Sequence, residues 1–175
     1  VRKTDPNSRL FNKQLGGGAI LDVGCYTTSF CLMIAKILLK ENLLNFKLEN
    51  ISGSVCETGV DEFAQADLIF NKDLKMSIKS SLRENLQNNC IIYGSKGKII
   101  IPRPWIPNQK SIIEVHINNN YYKQFINSEY TAYAQQINFF NKKFLNNEDN
   151  LLDTFMSNKE SLINAKILDT WRNGF

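Results

Sequence analysis

Three consecutive glycines at residues 16–18 lead into a stretch from residue 19 to about residue 40 that is apolar on almost every side. A helix that is apolar all round is buried on most of its surface, so this stretch predicts a helix in the core. Glycine adopts backbone conformations that are closed to other residues, which lets the chain approach and enter that helix. Charged and polar residues interrupt the stretch, so it is a poor membrane span and we predict no membrane partner.

The middle of the chain alternates between apolar and polar residues. Residues 64–70 and 74–82 alternate with a period of two, which predicts half-buried antiparallel strands joined by a tight connection at residues 71–73. An earlier strand, residues 46–57, changes phase between Leu48 and Ile51, as a β-bulge would cause.

Two hairpins are predicted further along the chain. Residues 90–93 and 98–101 flank Gly94-Ser95-Lys96-Gly97, which supplies the glycine that a tight turn requires. Residues 111–117 and 121–126 flank three asparagines in the same way.

The C-terminal part is predicted to be helical. Apolar residues recur at helical spacing between Tyr130 and Phe144. Ser157 and Glu160 fit a capping box at the start of a last helix, whose apolar stripe ends at Trp171. The elements follow the order helix, strands, helices, and they do not alternate as in βαβ units. This order predicts an α+β fold with an open, mostly antiparallel sheet and helices packed on one face.

Composition excludes several classes of protein. The chain has 175 residues, 43% hydrophobic and 22% charged, which is typical of one soluble globular domain. Its net charge of +4 comes from scattered basic residues, whereas a nucleic-acid site requires a concentrated basic stripe. We therefore predict no nucleic-acid partner.

The cysteines and the histidine give no metal-ligand pattern. The four cysteines include no C-x-x-C pair, and His116 is the only histidine. We predict that the cysteines are buried, reduced thiols in a cytoplasmic protein, and that there is no metal site.

One place in the apolar helix is difficult to explain by packing alone. Asp22 and Tyr26 lie four residues apart and share a helix face. A carboxylate is costly to bury without a partner, and Gly24 costs about 1 kcal/mol of helix propensity relative to Ala. We expect the close approach of another backbone or of a ligand at Gly24. Spacing alone leaves two alternatives: a site, or a structural Asp22 that bonds backbone N–H groups beside a core Tyr26.

The glycines do not form a dinucleotide-binding fingerprint, because Leu21 occupies the third glycine position and no strand precedes them. Residues 16–26, GGGAILDVGCY, instead resemble the signature that opens the C-terminal domain of the glucose-fructose oxidoreductase / inositol dehydrogenase / MocA family. Residues 9–11, 58–62 and 92–97 and the closing helices match that family in the same order. We interpret residues 1–175 as a single C-terminal substrate and oligomerisation domain, with the N-terminal Rossmann domain absent from this chain.

The resemblance implies an NAD(P)-dependent oxidoreductase that acts on a sugar, a polyol or a cyclic alcohol. In this family the Rossmann domain binds NAD or NADP and supplies a catalytic Lys. The C-terminal domain closes the substrate site, and its exposed sheet face commonly forms homo-oligomers. We therefore expect a small-molecule sugar or polyol substrate, a homo-oligomer, and a fragment that is inactive by itself.

The resemblance also assigns roles to residues. Many members carry Asp, then His, then Asp, where this chain has Asp22, Tyr26 and Ser29. Tyr at the middle position is similar to the branch containing glucose-fructose oxidoreductase and dihydrodiol dehydrogenase, and it implies that Tyr26 is the acid/base. Asp22 would orient the substrate hydroxyl or anchor the helix start.

Arg9 and Trp105 are predicted to lie in loops where they could contact the substrate. The alternative is a non-catalytic interaction or dimerisation module that retained the fold, since Ser29 replaces the third acid.

Overall fold

The structure is a computed structural model that describes residues 3–39, 45–71, 74–145 and 156–175. The first unit is Val1–Leu86 with Phe155–Phe175, and the second unit is Gln87–Thr154. Their elements, in chain order, are 3₁₀ turns at Arg9–Phe11 and Lys13–Leu15, a π-helical turn at Ile20–Gly24, α1 at Cys25–Leu39, β1 at Phe46–Val55, β2 at Asp61–Phe70, β3 at Leu74–Ser81, β4 at Asn89–Gly94, β5 at Gly97–Pro102, β6 at Lys110–Ile117, β7 at Asn120–Asn127, α2 at Ala132–Leu145 and α3 at Asn158–Asn173.

The first unit is a three-stranded antiparallel sheet, in the order β1-β2-β3, with helices on it. Helix α1 packs against α3 and β3, and α3 packs against β1. The period-two pattern of β2 points one row of side chains at the helices, and Ala64, Ala66 and Leu68 are accordingly buried. The α+β prediction with helices on an antiparallel sheet is therefore confirmed, although the strands form two sheets rather than one.

The predicted β-bulge in β1 is also confirmed. The pairing of β1 with β2 shifts register between Glu49 and Ser52, and Asn50 has a left-handed φ of 52°. Of the predicted connection at residues 71–73, Asn71 has a φ of 55°, while residues 72 and 73 lie outside the described residues.

Helix α3 begins at the predicted capping box. The Ser157 hydroxyl accepts a bond from the Glu160 N–H, and the Glu160 carboxylate accepts one from the Ser157 N–H at 2.7 Å. Lys36 of α1 lies 3.0 Å from the same carboxylate. Burial alone raises the pKa of Glu160, but the bonds from Ser157 and Lys36 outweigh it, so the pKa lies below its usual value.

The second unit holds a four-stranded antiparallel sheet in the order β4-β5-β6-β7. Both predicted hairpins are confirmed, with β4 and β5 joined at residues 94–97 and β6 and β7 at residues 117–120. Helix α2 forms where it was predicted, but its apolar stripe is exposed. The exposed members are Tyr133, Ile137, Phe140 and Phe144.

The cysteines correct one prediction. All four are free thiols, but only Cys56 is buried; the prediction of burial is wrong for Cys25, Cys31 and Cys90, which are half-buried. Burial raises the pKa of the Cys25 and Cys90 thiols.

The helical run Lys13–Leu39 is long and apolar enough, by length and composition alone, to cross a membrane. Ile20, Leu32 and Ala35 of this run are fully buried in the hydrophobic core with β2 and α3. A core helix of this kind passes the same test, and the absence of a membrane partner stays a prediction.

Candidate functional site

The glycine loop fits against the first residue of β2. A Cβ on Gly18, whose φ is +117°, would lie 2.3 Å from the Asp61 Oδ1 atom. A Cβ on Gly17 would lie 2.6 Å from the Leu10 carbonyl oxygen. The absence of both side chains lets the loop close, and the Ile20 N–H donates a 2.6 Å hydrogen bond to the Asp61 carboxylate. Asp61 thereby caps the π-helical turn at Ile20–Gly24, which leads directly into α1.

Asp61 has the role that one alternative assigned to Asp22. It is the carboxylate that bonds backbone N–H groups beside the glycines. Burial raises the pKa of Asp61, against the opposing effect of the bonds from Ile20 and Ala19. The interpretation of Asp22 as the inward structural acid is therefore wrong, because Asp61 reaches that position from a strand distant in sequence.

Asp22 instead forms an ion pair with Arg9. The Arg9 Nη2 atom donates to the Asp22 Oδ1 atom at 2.5 Å. The Arg9 side chain is 57% exposed and that of Asp22 is 20% exposed. The structure thus brings together two residues that were predicted for the site from separate segments.

Tyr26 lies in the first turn of α1 and is 55% exposed. The alternative in which its ring belongs to the core is therefore wrong. The Ser29 hydroxyl donates to the Tyr26 carbonyl oxygen at 3.0 Å, so the Ser29 side chain bonds to the backbone of its own helix. Tyr26 follows Asp22 by four residues along the chain, and the end of the π-helical turn lies between them.

The sequence interpretation missed the π-helical turn at Ile20–Gly24. A π-turn inside a helix is uncommon and occurs frequently at functional sites. Here the Thr27 hydroxyl donates to the Gly24 carbonyl oxygen at 2.8 Å, and the Thr28 hydroxyl donates to the same oxygen at 3.2 Å. Two successive threonines after a helical glycine are the signal that could have indicated the change of winding.

Gly24 lies in close contact with its neighbours. A Cβ there would lie 3.1 Å from the Trp171 ring of α3, and 3.5 Å from both the Ala19 carbonyl oxygen and the Ser80 Oγ atom of β3. The missing side chain therefore lets α3 pack against the π-helical turn, and the approach of a ligand at Gly24 stays a prediction.

Arg83 holds the segment that carries Arg9, a role that no sequence pattern indicated. Its Nε atom donates to the Glu62 carboxylate at 2.6 Å, and its guanidinium lies 5.4 Å from the centre of the Phe11 ring. It also hydrogen-bonds Thr4. These contacts secure both ends of the loop around Arg9.

Trp105 belongs to the second unit, where it lies between β5 and β6 and is half-buried. Its contact with substrate stays a prediction. Across the described ranges, no group of three or more His, Cys, Asp or Glu side chains could hold a metal ion.

The glycine loop, helix α1 and the three-stranded sheet of the first unit all lie in the part of the chain that matches a known protein family. The family model for the GFO/IDH/MocA C-terminal domain matches residues 1–100, so the chain belongs to that family.

Curated relatives share this region of the chain. The chain is 35% identical over 100 residues to a trans-1,2-dihydrobenzene-1,2-diol dehydrogenase from Xenopus tropicalis, and the match covers 57% of this chain and 28% of that protein. The human protein of the same name is 28% identical over 102 residues, covering 58% of this chain and 29% of the relative. The chain therefore matches under a third of the length of these relatives.

Solved structures share the fold. KijD10, a 3-ketoreductase from Actinomadura kijaniata solved with NADP and TDP-benzene, superposes with a TM-score of 0.73 at 18% identity, covering 99% of this chain and 51% of that one. An oxidoreductase from Bacillus cereus superposes with a TM-score of 0.59 at 15% identity, covering 88% of this chain and 47% of that one.

Proposed function

We propose that this chain is the substrate-binding and oligomerisation domain of an NAD(P)-dependent oxidoreductase that acts on a sugar, a polyol or a cyclic alcohol. The observation that carries the proposal is the exposed Tyr26 phenol, on a helix fixed in the core, next along the helix from the Arg9–Asp22 ion pair. The names of the relatives support the reaction class, since they are dehydrogenases of a cyclic diol.

Tyr26 has the chemistry that alcohol oxidation requires of a side chain. A bound nicotinamide supplies the hydride acceptor, and the substrate hydroxyl must lose its proton in the same reaction. Tyr26 would accept that proton, and would return one in the reverse direction. A free phenol has a pKa of about 10 and needs a nearby cation to act as a base at neutral pH. The family resemblance assigns that cation to a Lys of a Rossmann domain, which would also hold most of the NAD or NADP.

The surroundings of the Tyr26 hydroxyl support its role as the group that accepts the proton. Tyr26 makes no hydrogen bond through its hydroxyl within the part of the chain that the structure describes, so it is open to a substrate. KijD10 was also solved as a Tyr-to-Phe and as a Lys-to-Ala variant, which are the two residue types that the mechanism uses.

The test is Tyr26→Phe in the full-length protein that carries this domain. Loss of the proton acceptor should lower kcat by about 10²–10⁴-fold. The Kd for cofactor, measured by fluorescence titration, should stay within about twofold, because the phenyl ring keeps its position on the helix. Tyr133→Phe is the matched control, since Tyr133 is exposed on α2 and the proposal gives it no role. Unchanged turnover in Tyr26→Phe would remove Tyr26 from the mechanism.

A second experiment tests where the cofactor binds. The chain alone, with its fold verified by circular dichroism, should show no NAD(H) or NADP(H) binding by calorimetry. Micromolar affinity would refute the assignment of the cofactor to another domain. Absence of oxidoreductase activity in the full-length protein, together with a stable oligomer, would favour the alternative of an interaction module.

Homo-oligomerisation is supported by the open sheet of the second unit. The register places Ile92, Ile99, Val115 and Tyr122 in one row across all four strands, so one face presents an apolar row. Ile99 and Tyr122 are exposed. We expect Tyr122→Lys to reduce the oligomer in sedimentation velocity without altering the circular dichroism spectrum; an unchanged sedimentation coefficient would exclude this face.

A cytoplasmic location stays a prediction.

A further inference from the structure

A row of aromatic and basic side chains crosses all four strands of the second unit's sheet. The register pairs Tyr93 of β4 with Lys98 of β5. It also pairs Lys98 with His116 of β6, and His116 with Tyr121 of β7. Paired residues point to the same face of a sheet and successive residues point to opposite faces, so this row lies on the face opposite to the apolar row that contains Ile99. An oligomer formed through the apolar row would leave it open.

The row borders a cavity at the end of the sheet where two hairpin turns meet. The cavity has a volume of about 520 Å³, and its other lining residues are 96–97 and 118–120. The Asn118 N–H donates to the Lys96 carbonyl oxygen at 3.3 Å, which joins the turn between β6 and β7 to the turn between β4 and β5. Asn118 and Asn119 have left-handed φ values of 48° and 67°, as a tight hairpin turn requires. The two turns therefore hold each other in place at the edge of the cavity.

The cavity carries an excess of positive charge. Lys96 and Lys98 line it, and neither forms an ion pair with any residue in the described ranges. The acidic group on this face is Glu114, which is paired with Lys123 in the next row and whose carboxylate lies 3.9 Å from the His116 Nε2 atom. The charge of Glu114 is thus offset by Lys123, whereas Lys96 and Lys98 have no acidic neighbour in the register. Charge complementarity therefore favours an anion in the cavity.

An exposed aromatic ring lies beside these cations. Tyr93 is 74% exposed on β4, the outer strand next to Lys98. The ring of Tyr121, at the other end of the row, already contacts His116, with ring centroids 4.8 Å apart. A planar ring of a ligand can stack on an exposed aromatic face such as that of Tyr93. A phosphate group carries a charge of about −1.5 to −2 and three acceptor oxygens, which lysines bind as point charges.

We infer that this cavity binds a small phosphate monoester that carries a planar ring. Lys96 and Lys98 hold the phosphate, and Tyr93 stacks on the ring. The side-chain amides of residues 118–120 supply further N–H donors to the phosphate oxygens. The inference does not rest on the proposed function, because it involves neither Tyr26 nor the redox reaction.

The test measures the Kd of phenyl phosphate and of inorganic phosphate by isothermal titration calorimetry. The full-length protein is saturated with its cofactor, so that the phosphate-binding groups of the cofactor site are occupied. Lys98→Gln removes one charge and should raise both Kd values about tenfold, which is the size expected for a hydrogen bond to a charged group. Tyr93→Ser should raise the Kd of phenyl phosphate about tenfold and leave that of inorganic phosphate within about twofold, because only the stacking is lost.

Lys110→Gln is the matched control. Lys110 is an exposed cation at the other end of β6 from His116, so both Kd values should stay within about twofold of wild type. If Lys98→Gln does not fold, Lys96→Gln decides, with the same expected rise in both Kd values.

Three results would overturn the inference. They are the absence of phenyl phosphate binding at millimolar concentration, Kd values in Lys98→Gln no higher than in the control, and an equal effect of Tyr93→Ser on the two ligands. Oxidoreductase activity is measured separately, so its absence would count against the proposed function and leave this inference standing.

Discussion

Gly18→Ala tests whether the glycine loop positions the site helix through Asp61. Gly18 has a φ of +117°, and a methyl group there would lie 2.3 Å from the Asp61 Oδ1 atom. That carboxylate accepts the Ile20 N–H at 2.6 Å, so it cannot move away without leaving the first turn of the helical run unpaired. The substitution therefore affects the backbone and the cap together.

The expected cost is the sum of two effects. A non-glycine residue at a left-handed φ costs about 1–2 kcal/mol. Loss of a hydrogen bond to a charged group costs about 1.5–3 kcal/mol more. The free energy of unfolding should therefore fall by about 2.5–5 kcal/mol. Tm should fall by about 2–4 °C for each kcal/mol in a chain of this size.

Urea unfolding followed by circular dichroism measures this cost. Gly59→Ala is the matched control, because Gly59 also has a positive φ, of +78°, but a Cβ there meets nothing within 4 Å. The control should lose only the backbone contribution, about 1–2 kcal/mol. If Gly18→Ala lowers the free energy of unfolding no more than Gly59→Ala does, the contact between the added methyl group and Asp61 does not affect stability. That result would refute the role of Asp61 in positioning the site helix.

Two further predictions concern stability. Bonds from Ser77, Asn50 and Lys75 hold the pKa of the Asp67 carboxyl at about 2 in the folded protein, below its value of about 3.9 in the unfolded chain. The ionised carboxylate therefore stabilises the fold above about pH 4, and this contribution is lost as the pH falls toward 2. The free energy of unfolding in urea should be about 1 kcal/mol higher for wild type than for Asp67→Asn at pH 7, and the two should differ little at pH 2.5. A difference in this free energy that does not change with pH would contradict the prediction. Ser157→Ala removes one half of the capping box of α3 and should lower the free energy of unfolding by about 1 kcal/mol, whereas Ser157→Asp, which can also cap, should cost less.

Much of the fold could be predicted because its signals are local. The alternation in residues 64–70 records which face of a strand is buried, and the Ser157 capping box involves residues three apart. The bulge in β1 was visible as a change of phase, since an added residue reverses which side chains face the core. Helix α2 was also predicted correctly, but periodicity alone cannot say whether an apolar stripe is covered, and here it is exposed.

For the site, the sequence by itself determined the glycine loop, the spacing of Asp22 and Tyr26, and the family to which they belong. Only the tertiary structure decided which carboxylate is structural. Asp61 comes from β2, and Arg9 reaches Asp22 across 13 residues, so neither contact has a period or a spacing that a sequence can show. Backbone geometry fixes neighbours within a turn of helix or a pair of strands, whereas the partner of a charged side chain depends on how those elements pack.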